Sequence, residues 1–238
     1  AGASLKYGAH LDSTAAFNSS AGTNGGWDTP TSTVLKFSNG SSSIDNLNTN
    51  SEDYIAYCFT DIDGFSKFGS YTGNSSNNGP IVETGFEPAF LMIKCSSDAG
   101  SWFMYDNKRN TSNPRINYLL ANGSNVEASD MGGVDFLSNG FQIKEDHDDV
   151  NDTGDTYIYM AFAADPDEEA PTLASSFNIE TYIGTGASRS ITGLGFGPGL
   201  TWIKNRGSAQ SHSLTDVVRG DDLVLQSNET SAEASGQI

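Results

Sequence analysis

The 238-residue chain carries 12 Lys+Arg against 30 Asp+Glu, a formal net charge of −18, and so lacks the clustered cations that a nucleic-acid binder uses to neutralise phosphates. With 31 Ser, 26 Gly and 20 Asn it is rich in turn formers, while 13 Phe, 9 Tyr and 3 Trp supply core surface that a disordered acidic tail does not have. No apolar run approaches the roughly 18 residues needed to span a bilayer, and the first ten residues, AGASLKYGAH, lack the basic and hydrophobic regions of a signal peptide. The expected class is all-β, with no membrane insertion.

Residues 1–60 read as the back part of one repeat unit, because FSNG (37–40) precedes YIAYCF (54–59) just as LSNG (137–140) precedes YIYMAF (157–162). A complete β-sandwich unit follows over 66–164. Its predicted strands are 89–94, 102–105, 116–120, 134–137, 141–144 and 157–162, each short, rich in β-branched and aromatic residues and bounded by turn formers. Asn139 and Gly140 predict a two-residue type I′ hairpin, whose two central positions need φ > 0. Strand alternation places Tyr157, Tyr159 and Ala161 on one face and Ile158, Met160 and Phe162 on the other, so one set fills a core and the other is free to meet a neighbouring unit. Cys58 and Cys95 lie in apolar, strand-like runs and read as buried thiols rather than a bridge.

Between the last two of those strands, residues 145–155 are strongly acidic. Asp148, Asn151, Asp152 and Asp155 offer the hard oxygens that Ca²⁺ takes, although the spacing is not that of an EF-hand. The favoured reading is a solvated Asn/Asp-rich connection, with a calcium site as the alternative. Earlier in the unit, Asp106 and Arg109 are spaced to brace a turn through a bidentate bond.

Residues 165–176 form a Pro/acidic linker of extended character, and 177–238 read as the front part of a further unit. IVETGFEPAFLMIK (81–94) aligns with ITGLGFGPGLTWIK (191–204) at an offset of 110, which also pairs Asp106 with Asp216 and Arg109 with Arg219. EAS (127–129) meets EAS (233–235) at an offset of 106. The organisation expected is a segment of a longer tandem array. The rival is that the front and back pieces complete one another, across the molecule or between neighbours, with part of the unit then present twice. Six or more short strands per unit imply tandem antiparallel sandwiches of jelly-roll type, with barrel closure the lesser alternative.

The stretches YIAYCFTDIDGFSKFGSYTGN, TGFEPAFLMIK, WFMYDNKR, VDFLSNGF and TYIYMAFA, with the later WIKNR, SHSLTDVVRG and AEAS, resemble a tandemly repeated domain of tail-fibre and other virion structural proteins of marine bacteriophages. The resemblance covers nearly the whole chain and implies concanavalin A-like or laminin-G-like sandwiches located in a virion. It implies a structural or adhesive role, with self-association, other virion proteins or a host-surface glycan as partners. It carries no catalytic motif to these residues. Two departures are the NTSN insertion at 110–113 and the stop at Ile238, before a third TYIYMAFA-like strand.

No catalytic residue emerges from the residues themselves. His10, His147 and His212 occupy dissimilar repeat positions without metal-ligand spacing, and the glycines of 193–199 run through a proline into a strand, not into a phosphate-binding helix. The expectation is therefore no enzyme and no cofactor other than the calcium alternative. A carbohydrate-binding receptor module, a subunit of a head-to-tail extracellular filament and, as the enzyme alternative, a depolymerase with two acids across a cleft stand beside the structural reading. The Asn-X-Ser/Thr sequons are those expected by chance in so Asn- and Ser-rich a chain.

Overall fold

The computed structural model describes residues 9–17, 33–35, 50–131, 133–163 and 177–235. The FSNG stretch and the Pro/acidic linker lie outside the described residues. In chain order the elements are β1 (Ser66–Thr72), β2 (Ile81–Glu83), β3 (Pro88–Cys95), β4 (Trp102–Asp106), β5 (Leu119–Leu120), β6 (Val134–Leu137), β7 (Gly140–Ile143), α1 (Asp148–Asn151), β8 (Thr156–Ala163), β9 (Leu200–Ile203), β10 (Ser213–Asp216), β11 (Gly220–Leu225) and β12 (Ala234–Ser235). The expected all-β antiparallel fold is what the chain adopts. Among the described residues no helix is long and apolar enough to cross a membrane.

Strand β3 is buried at every position, and a strand apolar on both faces must be covered on both. It lies at the centre of a five-stranded sheet of order β1-β8-β3-β4-β5, which faces a three-stranded sheet of order β2-β7-β6. Between them Leu91, Ile93, Phe103, Tyr105, Tyr157, Tyr159 and Ala161 meet Val82, Val134, Phe136, Phe141 and Ile143 in one core. Each large side chain buried there contributes about 1.5–3 kcal/mol. The alternation expected for β8 is present: Phe162 and Met160 point the other way, into a second cluster with Phe90, Met92, Met104, Phe177, Ile179 and Trp202. This outer face of the sandwich is therefore the surface on which Phe177, Ile179 and Trp202 pack.

The strands β6 and β7 pair antiparallel as expected, but the hairpin differs. Leu137 pairs with Gly140, so the two loop residues are Ser138 and Asn139, neither with positive φ. Gly140 opens β7 instead, where a Cβ would stand 2.0 Å from the Val82 carbonyl oxygen. The close approach of its neighbour β2, together with a φ of +156°, is what requires glycine there. The inserted Asn113 acts as a surrogate edge partner for β6: its amide donates to the Phe136 carbonyl at 2.7 Å and its oxygen accepts the Phe136 N–H at 2.9 Å. Both cysteines are free, but only Cys95 is buried. The expectation for Cys58 is corrected, because residues 54–59 form no strand and all but the half-buried Ile55 stand exposed.

The strands β9 to β12 make a separate four-stranded sheet of order β12-β11-β10-β9. Its β9–β10 pairing repeats the register of β3 and β4. Leu91↔Tyr105 and Met92↔Met104 recur as Thr201↔Thr215 and Trp202↔Leu214 at the offset of 110, and Met104↔Leu119 recurs as Leu214↔Leu225. The Tyr118↔Ala128 bridge recurs as Val224↔Ala234 at the offset of 106.

Candidate functional site

A turn that follows a strand leaves backbone N–H groups unpaired, and an aspartate at the strand end can accept them. In the complete unit Asp106 ends β4, and its Oδ1 accepts the N–H groups of Lys108 at 3.0 Å and Arg109 at 2.8 Å. Its Oδ2 accepts Arg109 Nε. The rest of the guanidinium fork is distributed: Nη2 donates to the Met104 carbonyl at 2.8 Å and Nη1 to Glu127 at 3.2 Å. The expected Asp–Arg brace is present, but the guanidinium gives Asp106 one hydrogen bond instead of two, the second coming from the Arg109 backbone N–H. A single buried Arg thus ties together a strand, its turn and the segment that carries Glu127.

The same clasp forms again in the C-terminal sheet. Asp216 accepts the N–H groups of Val218 and Arg219 and, at 2.5 Å, Arg219 Nε, while the other guanidinium nitrogens reach the Leu214 carbonyl and Glu233. Each copy has one additional partner. Tyr57 donates its hydroxyl to Asp216 Oδ2, and this bond, with Arg219, draws the Asp216 carboxyl down to about 2. Glu127 receives a two-pronged grip from Arg206, at 2.8 and 2.7 Å. Burial pushes the Glu127 carboxyl up, but the hydrogen bonds of Arg206 and the charge of Arg109 prevail and hold it below its usual range.

Arg206 lies in the connection between β9 and β10 of the C-terminal sheet, so Glu127 is a joint between the two bodies of strands. Its backbone N–H also donates to the Arg206 carbonyl at 3.0 Å. Beside it, Trp202 Nε1 donates to His212 Nδ1 at 2.8 Å. An indole N–H can only donate, so Nδ1 of the neutral ring is the acceptor and Nε2 carries the proton, which it gives to the Leu120 carbonyl at 2.9 Å. His212 is fully buried, and burial lowers its proton affinity. Ser227 donates to the Ala121 carbonyl at 2.7 Å and Lys204 to the Ser124 carbonyl at 3.2 Å, extending the same seam.

The acidic connection is built as a knot. Asn151 is fully buried, and its amide donates to the Ser76 and Glu145 carbonyls while its oxygen accepts the Asn74 N–H. Asp152 accepts from Ser75 Oγ and the Thr153 N–H, Asp155 accepts from Ser97 Oγ, and Asp148 is exposed, with its carbonyl accepting the Tyr157 hydroxyl. Gly73 packs against this turn so closely that a Cβ would lie 2.1 Å from the Asp152 carbonyl oxygen. The side-chain oxygens of Asn151, Asp152 and Asp155 thus serve the connection from β7 to β8. Among the described residues no group of three His, Cys, Asp or Glu side chains is placed to hold a metal ion.

His10 and His147 stay apart from the joint. The carbonyl of His10 accepts Trp102 Nε1, and His147 caps α1 by accepting the Asp149 N–H. Sequence reasoning located Asp106, Arg109 and Glu127 with their repeats, but missed Arg206, His212, Trp202 and Tyr57 as partners. The counterparts of Arg206 and His212 at the offset of 110 are Ser96 and Trp102, so no repeat signal marks them.

No curated protein and no solved structure matches the chain. A family model described as a domain of unknown function, DUF7483, matches residues 3–166 and 173–238, with its break inside the stretch read as a linker. That match takes in almost the whole sequence, and the chain belongs to the DUF7483 family.

Proposed function

We propose that this chain is a non-enzymatic structural or adhesive segment of a virion appendage, in which sandwich units are stacked in tandem and their buried polar chemistry holds unit to unit. The observation that carries the reading is the seam at Glu127, Arg206, Trp202 and His212. There the charged and polar side chains of one body close on the other instead of converging on an open cleft. A repeated clasp at constant sequence offset is suited to an array, and a net charge of −18 discourages nonspecific association along it.

The resemblance of the sequence to phage virion repeats supplies the location. An antibody raised against the chain should decorate an appendage of virus particles that carry it, and the purified chain should release no new reducing ends from host polysaccharide. Decoration of a host-cell filament with no labelling of particles would replace the virion assignment. New reducing ends would replace the structural one with a depolymerase.

A further inference from the structure

In the complete unit β3 has a neighbour on each side, β4 and β8. The counterpart of β3 in the C-terminal sheet is β9, which pairs with β10 but has no strand on its other side among the described residues. An unpaired edge presents a row of free N–H and C=O groups, a template for strand addition. The described residues also hold a copy of the missing neighbour that forms no strand. YIAYCF (54–59) is the repeat counterpart of YIYMAF in β8, yet it forms no strand and leaves Tyr54, Tyr57 and Phe59 exposed.

We infer that residues 54–59 are the strand that closes the β9 edge of the same chain, adding antiparallel as β8 adds to β3. The register is fixed by the complete unit. There Met92↔Met160, Leu91↔Ala161 and Phe90↔Phe162 are paired, which sets Tyr57 against Trp202, Cys58 against Thr201 and Phe59 against Leu200. The parity agrees with contacts already made. On β8 the counterparts of Tyr57 and Phe59 are Met160 and Phe162, whose side chains lie on the outer face. Phe59 already packs on Phe68 and Phe162 of that face, with ring centroids 6.2 and 6.1 Å apart. Tyr57 already reaches Asp216, the residue that pairs with Leu200 across β10. These contacts within one chain are what favour its own segment over that of a second copy. The inference stands whether or not the array belongs to a virion.

The exposed thiol of Cys58 supplies the test. Neighbouring antiparallel strands hold paired Cα atoms about 4.5–5.5 Å apart, inside the span that a disulfide bridges. Under mild oxidation the full chain carrying Thr201→Cys should form an intramolecular disulfide with Cys58 in most molecules and remain monomeric. Ser235→Cys, on the opposite edge strand β12, should stay reduced. Disulfide-linked dimers or ladders from T201C would overturn the inference in favour of exchange between copies. An unlinked chain in which Cys58 and the introduced thiol both react with maleimide, beside the buried Cys95, would overturn strand addition altogether. A second measurement needs no substitution: in the unaltered chain the outward amides of 200–203 should exchange roughly 100-fold more slowly than those of an open edge, close to those of β10. Fast exchange along β9 beside slow exchange along β10 would likewise overturn it.

Discussion

The complete unit and the C-terminal sheet share strand registers and a clasp, yet only the complete unit has an apolar core against the inward face of its β3 and β4 strands. In the complete unit the inward positions Leu91, Phe103 and Tyr105 are sealed under the three-stranded sheet. Their counterparts are Thr201, Ser213 and Thr215, with the two threonine hydroxyls hydrogen-bonded to each other at 2.5 Å, a face too polar for a core of the same kind. The outward positions reverse the pattern: Trp202 and His212 fix the C-terminal sheet to the outer face of the complete unit. The repeat therefore preserves a frame of turns, registers and one Arg-centred clasp, while each body's apolar side chains decide which face is buried. Hydrophobic burial is non-directional and follows whichever face carries the side chains.

The largest expected effect tests whether the two clasps bear equal strain. Arg109 and its partner Asp106 have side chains 4% and 8% exposed, and breaking a buried pair by removing one partner costs about 3–5 kcal/mol. Arg109→Glu should lower the stability of the full chain by that amount in urea denaturation. Arg219→Glu should cost less, because Glu233 is 44% exposed and water can take over its solvation. Equal losses would mean that the copies are energetically the same despite their different surroundings.

The next test addresses the seam. The His212 ring is held neutral in the folded chain by burial, while in the unfolded chain it takes a proton as the pH falls through its ordinary value of 6.5. Below that pH the unfolded state binds the extra proton, so stability is full above 6.5 and declines as the pH drops toward the lowered folded value. Protonation would also turn Nδ1 from an acceptor into a donor facing the Trp202 N–H. Between pH 7.5 and 5.5 the Tm should fall by a few degrees, about the 2–4 °C that 1 kcal/mol produces in a chain of this size. His212→Phe should remove that part of the pH dependence, and an unchanged slope would detach His212 from it.

A smaller effect separates the joint from the clasp. Arg206 is 41% exposed and Glu127 15%, and partly exposed pairs contribute about 0.2–1 kcal/mol. A double-mutant cycle of Arg206→Ala with Glu127→Gln should give a coupling in that range. Zero coupling would leave Glu127 as a partner of Arg109 alone.

What the sequence made legible follows from what repeats. Strands β3, β4, β6, β7 and β8 were readable because apolar runs are bounded by turn formers, and Asp106 and Arg109 because they return at a constant offset. The seam was not readable, since its members on the C-terminal side, Arg206, Trp202 and His212, have no counterpart of the same kind in the other copy. Arg206 answers to Ser96, and Trp202 to Met92. Asn139 and Gly140 misled for a related reason. A local dipeptide rule has no access to the Val82 carbonyl, which approaches from the neighbouring strand and adds to the positive φ of Gly140 in requiring a residue without Cβ there. The acidic run at 145–155 carried a composition suited to calcium, but its Asn and Asp oxygens take backbone and hydroxyl donors supplied by residues 74–75 and 97, a pairing set by the sandwich and not by spacing.

The finest difference between the clasps is the phenol on Asp216, and it can be read without unfolding the chain. The hydrogen bond from Tyr57 is the leading cause of the fall of this carboxyl from its ordinary 3.8 to about 2, with the backbone N–H and side chain of Arg219 adding to it. A carboxyl depressed in the folded state contributes stability that is present above its unfolded pKa of 3.8 and is lost as the pH falls toward 2. Tyr57→Phe keeps the ring and removes only the donor. The Asp216 midpoint, followed by carboxyl NMR in the folded chain, should rise toward 3.8, and the window over which acid destabilises the protein should narrow from below. A midpoint that stays near 2 would assign the shift to Arg219 alone. It would also remove Tyr57 as the contact that draws residues 54–59 to the C-terminal sheet, so this smallest effect bears on whether that segment belongs beside β9.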